Sequence, residues 1–287
     1  MSESIDEDQI RPFTRIVAAI VVPFLVLAFL ILYFFPHLSG ERFAWEIQPP
    51  MTAMFMGAGY IGGSWLLIST FFGRRWHRVA PGILPVTTFT VAMMLATVLH
   101  WDVFEPSHVP FILWLGLYVV TPFLVPLVWL LNRSADTGAP EEDDLVVPAM
   151  ARWSLGALGV ILLGFAVIGF VRPAWLIDLW QWTLSPLTAR IMSGWLALMG
   201  VGGIVISTDA RWSAWKVGLQ SIGLWHLLVI VAAFIRRDDF ANGLVNWYLV
   251  SVFVVLAGMV LLYVMMEGKR REWWAGGSRE ESQLSAE

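Results

Sequence analysis

Eight apolar segments, each long enough to cross a bilayer, alternate with short polar segments along the chain. They cover about residues 16–35, 51–72, 83–101, 111–131, 153–171, 187–206, 215–235 and 246–266. A helix needs about 20 apolar residues to cross the roughly 30 Å hydrocarbon layer. It also satisfies its own backbone hydrogen bonds there. The pattern therefore predicts an all-α integral membrane protein with eight transmembrane helices.

The composition excludes several classes of protein. Of the 287 residues, 58% are hydrophobic and only 14% are charged, whereas soluble domains carry roughly 25% charged residues. The net charge of −4 provides no basic surface for nucleic acid. The chain has no cysteine, which excludes thiolate metal sites and a cysteine nucleophile. We expect a chain embedded in the lipid bilayer, without a nucleic-acid partner and without a cofactor.

The distribution of basic residues predicts the orientation of the chain. Most of the 18 Lys and Arg residues lie in loops and tails that share a side with both termini. Because loops rich in Lys and Arg face the cytoplasm, we expect a multi-pass protein of the cell membrane with both termini cytoplasmic. Acidic residues concentrate at 3–8 and 141–144, and both stretches are interpreted as solvated, disordered segments.

The two halves of the chain resemble each other when one is shifted by about 136 residues. Pro50-Met51-Thr52-Ala53 aligns with Pro186-Leu187-Thr188-Ala189, Arg75-Trp76 with Arg211-Trp212, Asp102-Val103-Phe104 with Asp238-Asp239-Phe240, and, with one residue of slippage, Arg15 with Arg152. Each half holds four spans, so both halves enter the membrane in the same direction. We therefore predict two tandem parallel four-helix repeats, related by an axis along the membrane normal.

The predicted organisation has five parts. An acidic cytoplasmic tail covers 1–15, and the first four-helix membrane repeat covers 16–132. An acidic cytoplasmic linker at 133–149 leads into the second repeat at 150–267, which is followed by a cytoplasmic tail at 268–287.

Tryptophans and small residues predict how the helices are anchored and packed. Many of the 17 tryptophans lie near span ends, which is typical of side chains anchored at the lipid headgroups. The Trp-rich segment 172–185 is expected to lie in the outer interface. Small residues four apart in spans two and six, such as Gly59 and Gly63 or Ser193 and Ala197, favour close helix contacts. Either spans two and six meet at the centre, or these stripes serve contacts within one half.

Polar residues within the spans are candidate functional residues, because polar groups are costly in hydrocarbon. His226 lies near the middle of span seven, and Thr90 occupies the equivalent position of the first half. His226 is interpreted either as a side chain that hydrogen-bonds a neighbouring helix or as a proton relay or haem ligand. The haem ligand is disfavoured, because a six-coordinate site requires a second buried histidine and none is evident. Arg190 follows a predicted N-cap at Ser185. Its side chain either reaches the outer headgroups or pairs with an anion or carboxylate there.

A polar cluster on the outer face is the candidate binding site. It comprises Glu46, His100, Asp102, Arg190, Arg236 and Asp238. The alternative is a hydrated loop in which Asp238 pairs with Arg236 or Arg237. No histidine pair has the spacing of metal ligands on a helix, so no metal site is predicted.

Three classes of function remain open. The first is transport of a small solute or lipid at the interface of the two repeats. The second is a non-catalytic subunit or scaffold, as a homo-oligomer or with partner membrane proteins. The third, and least favoured, is an enzyme acting on a lipid through Glu46, His100 and Asp102. The sequence holds no phosphate-binding loop and no hydrolase or metalloprotease motif, and we assign no catalytic residue.

Overall fold

A computed structural model describes residues 8–284 except 242, 244 and 245, with side chains up to residue 271. Eight helices within this part of the chain are long and apolar enough to cross a membrane. They are α1 (Pro12–Phe34), α2 (Pro50–Phe72), α3 (Ala80–Leu99), α4 (Val109–Asn132), α5 (Ala149–Val171), α6 (Pro186–Ser207), α7 (Trp212–Ile235) and α8 (Trp247–Arg271). The last helix continues beyond its apolar part to Leu284. The described residues are otherwise loops and short helices, so the predicted eight-span, all-α architecture is confirmed.

Helix starts follow signals that are local in the sequence. α1, α2 and α6 begin at Pro12, Pro50 and Pro186, because the missing N–H of proline is not needed in the first turn. The Ser185 hydroxyl accepts a hydrogen bond from the Thr188 backbone N–H at 3.1 Å, which confirms the predicted N-cap. The span boundaries agree with those predicted to within a few residues.

Four helices form the centre of the molecule. α2 packs on α7 and α3 packs on α6, and these contacts join the two halves of the chain. Each central helix also carries one outer helix: α1 lies on α2, α4 on α3, α5 on α6 and α8 on α7. α2 and α6 are the most buried spans, whereas α1, α5 and α8 expose most of their length. The exposed apolar surface therefore faces the lipid.

Glycines mark the closest helix crossings. Where α2 crosses α7, the Ser221 hydroxyl donates to the Gly62 carbonyl at 2.6 Å, and a Cβ on Gly62 would lie 2.8 Å from the Ser221 carbonyl. Where α5 crosses α6, a Cβ on Gly159 would lie 2.7 Å from the Gly200 carbonyl. Spans two and six do meet, since Trp195 lies against Gly59. The main contacts between the two halves are nevertheless made by other pairs, α2 (span two) with α7 and α6 (span six) with α3.

The prediction that tryptophans near span ends anchor in the headgroups is only partly correct. Trp101, Trp153, Trp175 and Trp247 are at least one-third exposed, whereas Trp45, Trp76, Trp180, Trp182, Trp212 and Trp215 are buried within the protein. In the segment 172–185, Pro173–Leu179 forms a short helix and both later tryptophans turn inward. Contacts with other aromatic rings replace the headgroup contacts that the sequence suggested.

The loops form two faces. The terminal face carries residues 8–11, 73–79, 133–148 and 208–211. The opposite face carries 35–49, 100–108, 172–185 and, of the last loop, the described residues 236–241, 243 and 246. On the terminal face two isolated antiparallel bridges join Gln9 to Arg75 and Val146 to Arg211. The acidic stretches are therefore folded against the helix ends from residue 8 onwards and at 141–144. The expectation of disorder is wrong for Asp8 and for 141–144, although Glu142 is exposed, and residues 3–7 lie outside the described part of the chain.

Candidate functional site

A cavity of about 460 Å³ lies within the membrane-spanning part of the molecule. All eight long helices contribute to its walls, so it lies between the two halves. Arg78, at the terminal face, is the only Asp, Glu, Lys or Arg among the described residues that line it. Pockets of roughly 300–1,000 Å³ hold small organic ligands. The cavity has that size, and its apolar walls favour a lipophilic occupant.

Both intramembrane candidates, His226 and Thr90, line this cavity. The His226 Nδ1 lies 2.9 Å from the Ile222 carbonyl on its own helix. Because a carbonyl can only accept, Nδ1 carries the proton and Nε2 of the neutral ring keeps a lone pair. The interpretation of His226 as a bond to a neighbouring helix is therefore wrong. The Thr90 hydroxyl likewise donates within its own helix, to the Thr87 carbonyl at 3.0 Å.

Aromatic rings form part of the cavity wall around Trp195. Its ring centroid lies 4.2 Å from that of Phe89, 4.9 Å from that of Trp225 and 5.3 Å from that of Tyr60. Rings at these separations attract one another in tilted and edge-on arrangements. This cluster could not be predicted from the sequence, because an aromatic residue within an apolar span fits the hydropathy pattern equally well whether it faces lipid or protein.

The predicted outer cluster is divided between two places on the opposite face. His100 and Arg190 meet directly, with Arg190 Nη1 donating to His100 Nε2 at 2.6 Å. The Arg190 Nε also donates to the Phe170 carbonyl at 3.1 Å. Arg190 thus joins the end of α3 to α6, and it forms no ion pair with a carboxylate among the described residues. Burial, followed by the positive charge of Arg190, lowers the pKa of His100.

An open pocket of about 790 Å³ lies beside this pair. Its lining includes Glu46 and His100 together with Glu105 and His108, but not Asp102. Asp102 is exposed. Because His100 Nε2 already accepts from Arg190, this nitrogen is not available as a general base. The pocket therefore lacks the His–Asp combination that the enzyme hypothesis requires.

The remaining outer residues lie elsewhere. Arg236 donates to His37 Nε2 at 2.9 Å. Asp238 is almost fully exposed, and its nearest cationic group is Arg237 at 3.9 Å, so it adds nothing to a site. The neighbouring Asp239 has a defined role, since its Oδ2 accepts from the Met51 backbone N–H at 2.9 Å. This contact caps the start of α2 from the other half of the chain.

A buried polar cluster on the terminal face was not anticipated from the sequence. This His77 cluster consists of His77, Asp8, Glu141, Ser213 and Asp144. His77 is 2% exposed, and its Nδ1 lies 2.5 Å from Asp8 Oδ2. Its Nε2 lies 2.9 Å from Ser213 Oγ and 3.2 Å from Glu141 Oε1. The shift of 136 residues places position 77 opposite position 213, which is the one signal in the sequence that could have directed attention to it.

The protons of the His77 cluster define what it can do. The Ser213 hydroxyl donates to Asp144 Oδ2 at 2.5 Å, so its lone pairs face His77 Nε2. Both ring nitrogens therefore face oxygen atoms, Asp8 Oδ2 on one side and Ser213 Oγ and Glu141 Oε1 on the other. A Ser–His–Asp arrangement is present, but the hydroxyl proton points to Asp144 and not to the base, and Ser213 is buried. The cluster thus links residues of both halves of the chain through hydrogen bonds.

Ion pairs surround this cluster. Arg211 donates to Asp136 and Asp209 at 2.7 Å each, and these hydrogen bonds raise the pKa of Arg211 and lower that of Asp136. Burial alone would raise the pKa of Glu141, but the hydrogen bond and charge of Arg78 outweigh it and lower that pKa. The lowered pKa values favour the charged form of the Asp136 and Glu141 carboxylates.

No group of three or more metal-ligating side chains is placed to hold a metal ion in the part of the chain that the structure describes. Comparison with protein-family models, curated proteins and solved structures finds no match for this chain. The candidate function therefore depends on the geometry of this molecule alone.

Proposed function

We propose that the chain consists of two tandem four-helix repeats in parallel orientation. Reciprocal packing supports this: α2 on α7 corresponds to α3 on α6, and each central helix carries one outer helix. The short helices Trp101–Val103 and Arg237–Asp239 lie 136 positions apart and follow the third span of each half. Their positions fit the alignment of the two halves.

Hydrogen bonds on the terminal face support the same proposal. In the first half Ile10 N–H donates to the Arg74 carbonyl at 3.0 Å, and in the second Val147 N–H donates to the Ala210 carbonyl at 2.8 Å. These pairs are equivalent under the repeat.

A second pair of side-chain bonds follows the same alignment. Arg15 donates to the Phe71 carbonyl at 3.0 Å, and Arg152 donates to the Ser207 carbonyl at 3.1 Å. The contact between the equivalent residues His77 and Ser213 supports a pseudo-two-fold axis that passes through the His77 cluster.

We further propose that the terminal face is cytoplasmic and that the membrane is the cell membrane. The excess of Lys and Arg on this face supports the orientation. We also propose the five-part organisation predicted from the sequence, with a linker that is folded at 141–144.

The function we propose is binding and transport of a small lipophilic molecule at the interface of the two repeats. The observation that carries it is the cavity of about 460 Å³ to which helices of both halves contribute. An ion or a strongly polar solute would be poorly solvated there, since burial of a charge without partners is costly. A pathway between two repeats also fits the way parallel-repeat transporters place their sites.

Co-purification tests this proposal. The protein is purified in mild detergent, extracted with organic solvent and analysed for bound lipophiles by mass spectrometry. Gly218 lines the cavity and has open space where a side chain would begin, so Gly218→Phe is expected to fill the cavity and reduce the extracted lipophile. Gly223→Phe on the same helix is the matched control, because it has equal space but does not line the cavity.

Transport is measured with the same variants in proteoliposomes. The rate at which a labelled lipophile moves between leaflets should fall for Gly218→Phe and stay unchanged for Gly223→Phe. Wild-type protein that carries no lipophile but retains other membrane proteins in fixed proportion would overturn the proposal and favour a subunit of a larger complex.

A further inference from the structure

One indole in the wall of the intramembrane cavity has no hydrogen-bond acceptor. Trp195 is 3% exposed, and its Nε1 has no partner in the structure. The opposite edge of the ring, which carries Cζ3 and Cη2, lies against Gly59. Buried polar groups in proteins nearly always have a partner, and each one without a partner requires an explanation.

Other buried indoles of the molecule have acceptors. Trp225 donates to the Phe55 carbonyl at 3.2 Å, Trp114 to the Thr97 hydroxyl at 2.9 Å and Trp182 to the Thr52 hydroxyl at 2.8 Å. The fold therefore supplies acceptors for tryptophans in similar surroundings. Two further indoles have a buried Nε1 without a partner. Trp180 also lines this cavity, whereas Trp45 lines the outer pocket.

A further donor lies next to Trp195. The hydroxyls of Tyr60 and Tyr118 are 3.1 Å apart, and either one donates to the other. Because two hydroxyls share one such bond, one hydroxyl proton of the pair is not used in it. Both tyrosines line the cavity, and the Tyr60 ring lies 5.3 Å from the Trp195 ring. The aromatic wall thus has spare donors but no cationic side chain.

We propose that the ligand of this cavity is an uncharged lipophile bearing a carbonyl oxygen, as in a ketone, quinone or ester. The oxygen accepts from Trp195 Nε1 and from the free hydroxyl proton of the Tyr60–Tyr118 pair, while the remainder of the molecule fills the apolar space. A hydrocarbon would leave these donors without a partner. An anion would lack a counter-charge beside them. The inference rests on the proposed function, since it names the ligand class of the same cavity.

Binding of two probes of equal length tests the inference. A tritiated thirteen-carbon methyl ketone and the tritiated alkane of the same length are measured by scintillation proximity on purified protein. Trp195→Phe keeps an aromatic side chain, although a smaller one, and removes the donor. It should therefore weaken binding of the ketone about three- to tenfold more than binding of the alkane. Trp65→Phe is the control, because its indole donates to Gln220 outside the cavity.

The outcomes separate this inference from the proposed function. If both probes bind equally to wild type and to Trp195→Phe, the cavity remains a lipophile site but the inference of a carbonyl-bearing ligand is overturned. A buried water would then be the acceptor of the indole N–H. Failure of both probes to bind wild-type protein would overturn both proposals. If Trp195→Phe does not fold, as judged by gel filtration, the double variant Tyr60→Phe with Tyr118→Phe is measured for the same selective loss.

Discussion

Replacing His77 by leucine tests whether the terminal face holds the two halves together. His77 reaches the first half through Asp8 and the second half through Ser213, and it is buried. In His77→Leu the carboxylates of Asp8 and Glu141 lose the ring that lies between them. Since they stay in a buried site without that partner, their desolvation is no longer compensated.

The expected cost follows from this geometry. Removing one partner of a buried hydrogen bond, so that the other group is left unsatisfied, destabilises a protein by about 1–3 kcal/mol. Arg78→Gln is the matched control at the next position: its side chain is half exposed, and surface pairs contribute about 0–1 kcal/mol. Adding Asp8→Asn to His77→Leu removes the charge of one carboxylate that has lost its histidine partner. The double variant should therefore be less destabilised than the sum of the two single variants, by about 0.5–3 kcal/mol.

Equilibrium unfolding measures these differences. The purified variants are titrated with a denaturing detergent in mixed micelles, and helix content is followed by circular dichroism. The reasoning is refuted if His77→Leu costs no more free energy of unfolding than Arg78→Gln, or if its effect and that of Asp8→Asn simply add.

Four further predictions concern packing, pH, the intramembrane histidine and topology. Gly159→Ala should lower the free energy of unfolding by about 1–3 kcal/mol, because its Cβ would lie 2.7 Å from a carbonyl of α6. The control Gly164→Ala, in open space on the same helix, should leave the free energy of unfolding unchanged or raise it by up to about 1 kcal/mol. Equal effects of the two variants would contradict the close crossing of α5 and α6. The pKa values of Asp136 and Glu141 are lowered from 3.8 and 4.5 in the folded protein. Their charged forms therefore stabilise the fold fully above these ordinary pKa values, and this stabilisation is lost as the pH falls through the lowered pKa values. The thermal midpoint should therefore drop on acidification below about pH 4, and Asp136→Asn should reduce that drop. His226→Leu should leave the protein folded, since the ring bonds only its own helix, and an aggregated elution profile would show otherwise. Tags at both termini should stay inaccessible from outside intact cells, and external labelling of either would contradict the proposed orientation.

The sequence by itself determined the helices and their order. A backbone in hydrocarbon must satisfy its own hydrogen bonds, so length and apolar composition are enough to locate each span. Local chemistry determined the helix starts, as Ser185 and Pro186 illustrate. The alignment of Arg15 with Arg152 was also visible, because both are charged side chains at span ends and stand out against an apolar background.

Tertiary structure alone decided which of these residues lie together. Trp153 and Trp212 both lie in the first turns of a span, yet Trp153 is 78% exposed and Trp212 is 1% exposed. Asp8 was expected to be solvated and is instead a partner of His77. His100 and Asp102 are neighbours in the chain, but only His100 lines the outer pocket. In each case the outcome depends on a contact with a residue far away in the sequence.

The physical reason lies in the solvent. Lipid tails are as apolar as leucine, so helices in a membrane select their neighbours by shape and hydrogen bonding and not by hydrophobicity. Hydropathy therefore locates each helix but carries no information about the face that meets another helix. The apolar cavity, and the unpaired indole of Trp195 within its wall, exist only once all eight helices are packed together.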